Sequence, residues 1–387
     1  MSNESIFNES KKYILGGLNS PLRDINTPVI KAAKGCIITD ENDKEYVDFN
    51  LANGQLILGH CNDGVVKAIK ETSESGLAFA YPTKLELEMA QLICETMPNV
   101  EMVKVVNSAS EAINGAMNLA RVYTKRNKII NFEMTSNEDS NILTGVYNDE
   151  NQVRELFKNY GKEVAAVVIK PVEDSTGVIK ADEKFIKKLK MYCDRFGALL
   201  IFDESISGFK VGFTGAQTLF DVKPDLVVYA SVMGGGLSCG AYGGRKEIMN
   251  LDKTELLGVN PIVMASGLAT LRQLYDHPEY YNHIDSIGKR VEDGINKIKE
   301  KYNFPVTINR VGGMFTIFFK EGQVETNEDV RQCDEERFKR YFIHMLNSGF
   351  YISPSQNEAL FLSTTHSITH IFKFVKAFEE FVKKEVE

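Results

Sequence analysis

The 387-residue chain has no tryptophan, only six cysteines and only six histidines. Cys36, Cys61, Cys94, Cys193, Cys239 and Cys333 are scattered and form no CxxC pair. A disulfide framework is therefore not expected in a chain of this size, and reduced thiols are. Among the histidines only His366 and His370 stand close, at a spacing that can hold a metal on a helix. With no further ligand beside them, a solvated helix start is the expectation. No Lys/Arg-rich run occurs and the net charge is −8, which argues against nucleic acid as a partner. No apolar run is long enough to span a bilayer, and the first ten residues lack a basic-then-apolar leader pattern. A cytoplasmic location and no membrane partner are expected.

What is present is ordinary globular material, 43% hydrophobic and 25% charged, enough for a large core. Strand-like and helix-like segments alternate through the middle of the chain. Val103–Asn107, Ile129–Phe132, Val164–Ile169, Ala198–Phe202 and Leu226–Tyr229 read as strands. Between them, Ser108–Lys125 and Phe185–Phe196 carry apolar residues at helical spacing. This rhythm predicts an α/β fold with a mostly parallel sheet covered by helices, and a ligand beyond the carboxyl ends of the strands. Residues from about 262 to 302 are helical in pattern. Beyond Asn303-Phe-Pro305, an α+β region follows, with strands at Val306–Ile308 and Met314–Phe319, a helix near Glu336–Leu346 and a last helix from Ile368. The expected division is 1–50 as an amino-terminal segment packing with the small domain, 51–285 as the large domain and 286–387 as the small one.

Four strand ends carry candidate chemistry. Ser108-Ala109-Ser110 opens a helix, where free backbone N–H groups and the helix dipole favour an anion, although a serine there also simply caps the helix. Asp203 leaves a buried strand, which is costly unless the carboxylate is paired; a protonated ring nitrogen and a nearby cation are both suitable partners. Lys170 leaves a neighbouring strand and either points into the cleft or pairs with Glu173 or Asp203. Ser231, followed by Val232-Met233-Gly234-Gly235-Gly236, ends another strand with glycines that allow tight turns and close backbone approach.

Nearly end to end, the chain resembles the class III aminotransferases of the fold-type-I pyridoxal-phosphate superfamily, and within them the glutamate-1-semialdehyde aminomutases. The resemblance is carried by Gly16-Gly17-Leu18-Asn19-Ser20-Pro21-Leu22-Arg23, Leu58-Gly59-His60, Asp203-Glu204 with Gly208-Phe209, Pro224-Asp225-Leu226, Gly234 through Arg245, and Ser353-Pro354-Ser355-Gln356-Asn357-Glu358-Ala359 with His366. It implies a fold-type-I architecture and a homodimer with a small-molecule site. It also implies that Asp203 holds the cofactor's pyridine nitrogen, while Arg23 and Glu358 serve the substrate.

The same resemblance places Ser231 where the family's Schiff-base lysine stands. The phosphate-binding motif becomes Ser108-Ala109-Ser110, the residues that cover the ring become Ser136-Asn137, and Leu256 stands at a phosphate-contacting threonine. Conventional chemistry through a covalently held cofactor is not expected. The leading expectation is a pseudoenzyme or a repurposed small-molecule site. An altered enzyme with noncovalent pyridoxal phosphate or pyridoxamine phosphate, and Lys170 as base, is the alternative. Ser231 as a nucleophile for unrelated chemistry is a third, for which the sequence displays no Ser-His-Asp arrangement.

Overall fold

The computed structural model describes residues 2–19, 27–132, 140–255 and 259–387. Its centre is a seven-stranded sheet of β1 (Met102–Val106), β2 (Lys128–Asn131), β3 (Ile142–Thr144), β4 (Val164–Ile169), β5 (Leu199–Glu204), β6 (Leu226–Ala230) and β7 (Gly240–Gly244). In space they lie in the order β1-β7-β6-β5-β4-β2-β3. Strand β7 runs antiparallel to both its neighbours, and every other pair is parallel. Strands β4, β5 and β6 bury every residue, as apolar runs require of parallel strands covered on both faces, and in β5 the burial extends to the closing Asp203 and Glu204.

Helix α1 (Ala109–Thr124) lies on one face and buries Ala112, Ala116, Leu119 and Ala120, a single stripe at helical spacing. Its start is fixed by Ser108, whose hydroxyl accepts from the Glu111 N–H at 3.1 Å. Helix α2 (Glu183–Phe196) precedes β5 and is capped by Asp182 and ended by Gly197 in the left-handed conformation. Its apolar stripe (Phe185, Ile186, Leu189, Tyr192, Cys193) is buried, and each fully buried large side chain of this kind contributes about 1.5–3 kcal/mol.

The amino-terminal strands Ile30–Lys34, Ile37–Asp40 and Glu45–Asp48 form an antiparallel meander. Phe350–Tyr351 joins it as a parallel fourth strand, with Phe350 opposite Val47 and Tyr351 opposite Asp48. The two ends of the chain thus share one sheet. A second small sheet pairs Thr307–Val311, Met314–Phe318 and Leu360–Phe361 antiparallel, with helices Glu335–Asn347 and Ile368–Val386 nearby in the chain. Helix Glu279–Tyr302 runs unbroken past position 285 and packs against helix Ile368–Val386 and strand Thr307–Val311.

The expectation of a solvated helix start at His366 is wrong. The last helix begins at Ile368, so His366 lies in the loop before it and is 1% exposed. Its Nδ1 accepts from the Ser363 N–H at 3.1 Å and its ring lies 4.8 Å from that of Phe49. Burial pushes its pKa down to about 3. His370 completes a capping box with Ser367 instead. Among the described residues no cluster of metal ligands occurs, and all six cysteines are free thiols.

Candidate active site

The carboxyl ends of β1, β4, β5 and β6 open on one cleft made of two adjoining cavities. One, of about 220 Å³, is lined by Ser108, Ala109, Ser205, Ser231, Leu237 and Cys239, among others. The other, of about 200 Å³, is lined by Ala109, Ser110, Asn131, Lys170, Asp203 and Ser205, with Ile113 and Val168. Ala109 and Ser205 border both. The parallel order β6-β5-β4 sets Ser231, Asp203 and Lys170 side by side although more than 60 residues separate Lys170 from Ser231 in the chain.

Asp203 and Glu204 end β5 and face opposite ways, as successive strand residues must. Asp203 lines the cleft, is 7% exposed, and accepts the Ser205 N–H at 2.9 Å. Glu204 is fully buried and takes the Ala216 N–H, the Gln217 N–H and the Ser207 hydroxyl. Burial pushes it up to about 7, and those donors act against the rise. Glu204 therefore serves the fold, and Asp203 the cleft.

At the amino end of α1, Ser108 is occupied as a cap, yet Ser108, Ala109 and Ser110 all line the cleft. The methyl of Ala109 does not close it. The tight approach is made from the other side: a side chain at Gly240 would place its Cβ 2.3 Å from the Ser108 carbonyl oxygen. Only glycine lets β7 pass this turn. Lys170 lines the second cavity while its Nζ lies 3.0 Å from Asp174 Oδ1 and 3.8 Å from Glu173 Oε1. Of the two partners the sequence suggests for it, Glu173 is the one it meets.

Ser231 follows the extended Ala230 and opens a short 3-10 turn over Ser231–Gly234. Its φ is +53°, the left-handed region that a non-glycine residue enters only at a cost of roughly 1–2 kcal/mol. Behind it stands a residue absent from the sequence-based candidates. Lys210 donates from Nζ to Ser231 Oγ at 3.0 Å. It is 4% exposed and lies over the Phe361 ring at 4.8 Å. Burial lowers its pKa to about 7, while the Asp174 carboxylate acts in the opposite sense. Gly54, at φ +75°, makes the room: a Cβ there would lie 2.7 Å from Lys210 Cε. The turn over Ser205–Val211, closed by the Lys210 N–H to Ser207 C=O bond, folds the lysine back toward the strand end. A lysine set in the apolar run Gly208-Phe209-Lys210-Val211 is a signal the sequence does carry.

Glu358 lies in the loop between Phe350–Tyr351 and Leu360–Phe361, its N–H bonded to Ser355 C=O, and it does not line either cavity. Arg23, Ser136, Asn137 and Leu256 fall outside the described residues.

The profile of the aminotransferase class-III family matches residues 22–158 and 134–382. The glutamate-1-semialdehyde 2,1-aminomutase of Clostridium botulinum is 52% identical, with all of both chains covered. That of Clostridium kluyveri is 45% identical over 98% of this chain and 100% of the other. The first alignment runs to 426 residues, so this 387-residue chain lacks segments that its relative has. Among solved structures, a β-phenylalanine aminotransferase from Variovorax paradoxus superposes with a TM-score of 0.91 at 24% identity, covering 99% of this chain and 94% of that one. A glutamate-1-semialdehyde aminomutase from Pseudomonas aeruginosa does so with 0.89 at 17%, covering 98% and 94%. Those two likenesses bear on the fold.

Proposed function

The chain belongs to the class III aminotransferases, and on that premise we propose that it is a divergent member whose cleft binds a small molecule without a covalently attached vitamin-B6 cofactor. The observation that carries this reading is Ser231. The end of β6, the strand beside that of Asp203, offers a hydroxyl already engaged by Lys210, and a hydroxyl cannot form the imine by which a lysine holds an aldehyde cofactor. Ser231 therefore does not fit a covalently held pyridoxal phosphate at this position, and no step is assigned to one.

Other groups keep the cleft polar. Asp203 suits a protonated heterocyclic nitrogen, and the amino end of α1 suits an anionic group. On these grounds noncovalent pyridoxal phosphate or pyridoxamine phosphate is the second reading, with Lys170 as the base. Its ion pairs with Asp174 and Glu173 tell against Lys170 in that role. Arg23 and Glu358 remain proposed substrate contacts, and Ser136 and Asn137 proposed cleft residues. A homodimer is proposed from the family. Leu77, Phe79, Tyr81 and Leu87 are large apolar residues exposed within an eleven-residue stretch, a region that a second copy would cover in this reading.

The test is titration of the purified protein with pyridoxal phosphate, followed by borohydride reduction and peptide mapping. The expected result is no stoichiometric adduct. One cofactor fixed per chain on a single lysine would overturn the reading.

A further inference from the structure

We propose that Ser231 and Lys210 form a nucleophile–base pair that performs acyl transfer on a small ester or thioester bound in the cleft. The proposal rests on the cleft's being free of a covalent cofactor, and it adds a reaction to that reading.

The geometry supplies what such a pair needs. The nucleophile must be reachable, and Ser231 lines the 220 Å³ cavity. The base must stand within hydrogen-bond reach of the hydroxyl, and Lys210 Nζ is 3.0 Å from Oγ. The base must also be able to give up its own proton. Lys210 is enclosed by Gly54, Ile57, Met314, Phe361 and Leu362, a mostly apolar wall that disfavours the ammonium form. The charged group acting on it is Asp174, which raises its proton affinity but is itself ion-paired to Lys170. Serine–lysine pairs of this kind act without histidine.

The backbone adds a second observation. Ser231 sits on a sharp strand-to-turn junction at φ +53°, where glycine would be relaxed and serine is strained. The junction turns the hydroxyl out of the sheet's carboxyl edge, beside the amino end of α1, whose dipole favours negative charge developing on a carbonyl oxygen.

The reaction balances with water as co-reactant. Ser231 Oγ bonds to the acyl carbon as its proton passes to Lys210 Nζ. The carbon's bond to the leaving oxygen or sulfur breaks, and that atom takes the proton from Lys210. Water then adds to the acyl-serine, Lys210 accepts its proton and returns it to Oγ, and a carboxylic acid leaves. Cys239 lines the same cavity but is no rival, because burial pushes its thiol up to about 12.

The test uses the full-length protein and a fluorophosphonate probe, with peptide mapping and labelling rates from pH 6 to pH 10. Ser231 is expected to be the labelled residue, at a rate that rises with pH as Lys210 loses its proton. Ser231→Ala abolishes the label. Lys210→Arg keeps the positive charge but cannot serve as a base, and should slow labelling about 100-fold or more. Lys210→Met gives the same loss without a charge. Far-ultraviolet circular dichroism establishes that each variant is folded. An unlabelled Ser231 in folded wild type at pH 9, or labelling of Lys210→Arg as fast as wild type, overturns the proposal. A single lysine fixed to pyridoxal phosphate would instead overturn the premise, so the two failures are separable.

Discussion

Two lysines back onto the same cleft and are held in opposite ways. Lys170 reaches two carboxylates, Asp174 at 3.0 Å and Glu173 at 3.8 Å. Lys210 reaches a hydroxyl, Ser231, and feels Asp174 only through its field. The first amine has its charge compensated where it stands. The second has been taken out of water with a neutral partner, and its proton affinity falls accordingly. A lysine's chemical use is thus decided by what its last atom touches, and by strand position only indirectly. Lys170 occupies the more conspicuous place at a strand end, yet Lys210, in a turn, has the more available lone pair.

The comparison can be broken most forcefully at Asp174. Asp174→Ala takes the nearer carboxylate away from a largely buried Lys170, and breaking such a pair should cost about 3 kcal/mol in urea unfolding at pH 7. A loss below about 0.5 kcal/mol would mean that Lys170 is not held by charge.

Removing the other amine should act through pH. The folded pKa of Lys210 is lowered to about 7, and the unfolded value is about 10.4. Between these the unfolded chain binds more protons, so this group makes wild-type stability rise with pH from about 7 to about 10. Below about 7 both states are protonated and the contribution is flat. Lys210→Met should abolish that rise and match or exceed wild type at pH 6.5, since replacing a buried amine by an apolar side chain is often neutral or stabilising. Parallel slopes for the two proteins between pH 7 and pH 10 would show the amine to be solvated. The smallest effect belongs to Ser231→Ala, which removes one hydrogen bond at a partly exposed site and should cost about 1 kcal/mol.

The large sheet was readable because β4, β5 and β6 are buried on both faces, so burial follows an apolar run in each, broken only by Asp203 and Glu204 at the end of β5. Strand β7 escaped that logic. Gly240-Ala241-Tyr242-Gly243-Gly244 has no β-branched run, and its glycines answer to close packing on Ser108, Met102 and Asp225. The last helix does begin at Ile368, as its pattern indicates, but the loop before it packs His366 against Phe49, a contact distant in sequence that turns an expected surface ring into a core one. The fold's family was legible from motifs spread along the chain, and the family profile agrees. Ser231, Asp203, Lys170 and the Ser108–Ser110 turn do meet at one cleft. Lys210 has only a weak local signal, a lysine within a short apolar run, because its importance comes from a turn that brings it back against Ser231, a contact between segments that the run does not encode.

The spatial order of the sheet also dictates when the cleft can come into being. β1 lies at the sheet's edge, and its sheet neighbour is β7, made from the last residues to enter that sheet. On a ribosome the first strand must wait, unpaired, until residues 240–244 have emerged. Contacts so distant in sequence are the slow ones in folding. The wall that sets Ser108 against Gly240, and the hydroxyl of Ser231 beside it, is therefore completed at the end of assembly. A nascent chain halted before residue 240 would hold every residue that lines this pocket and still lack the strand that sets Ser108 in place.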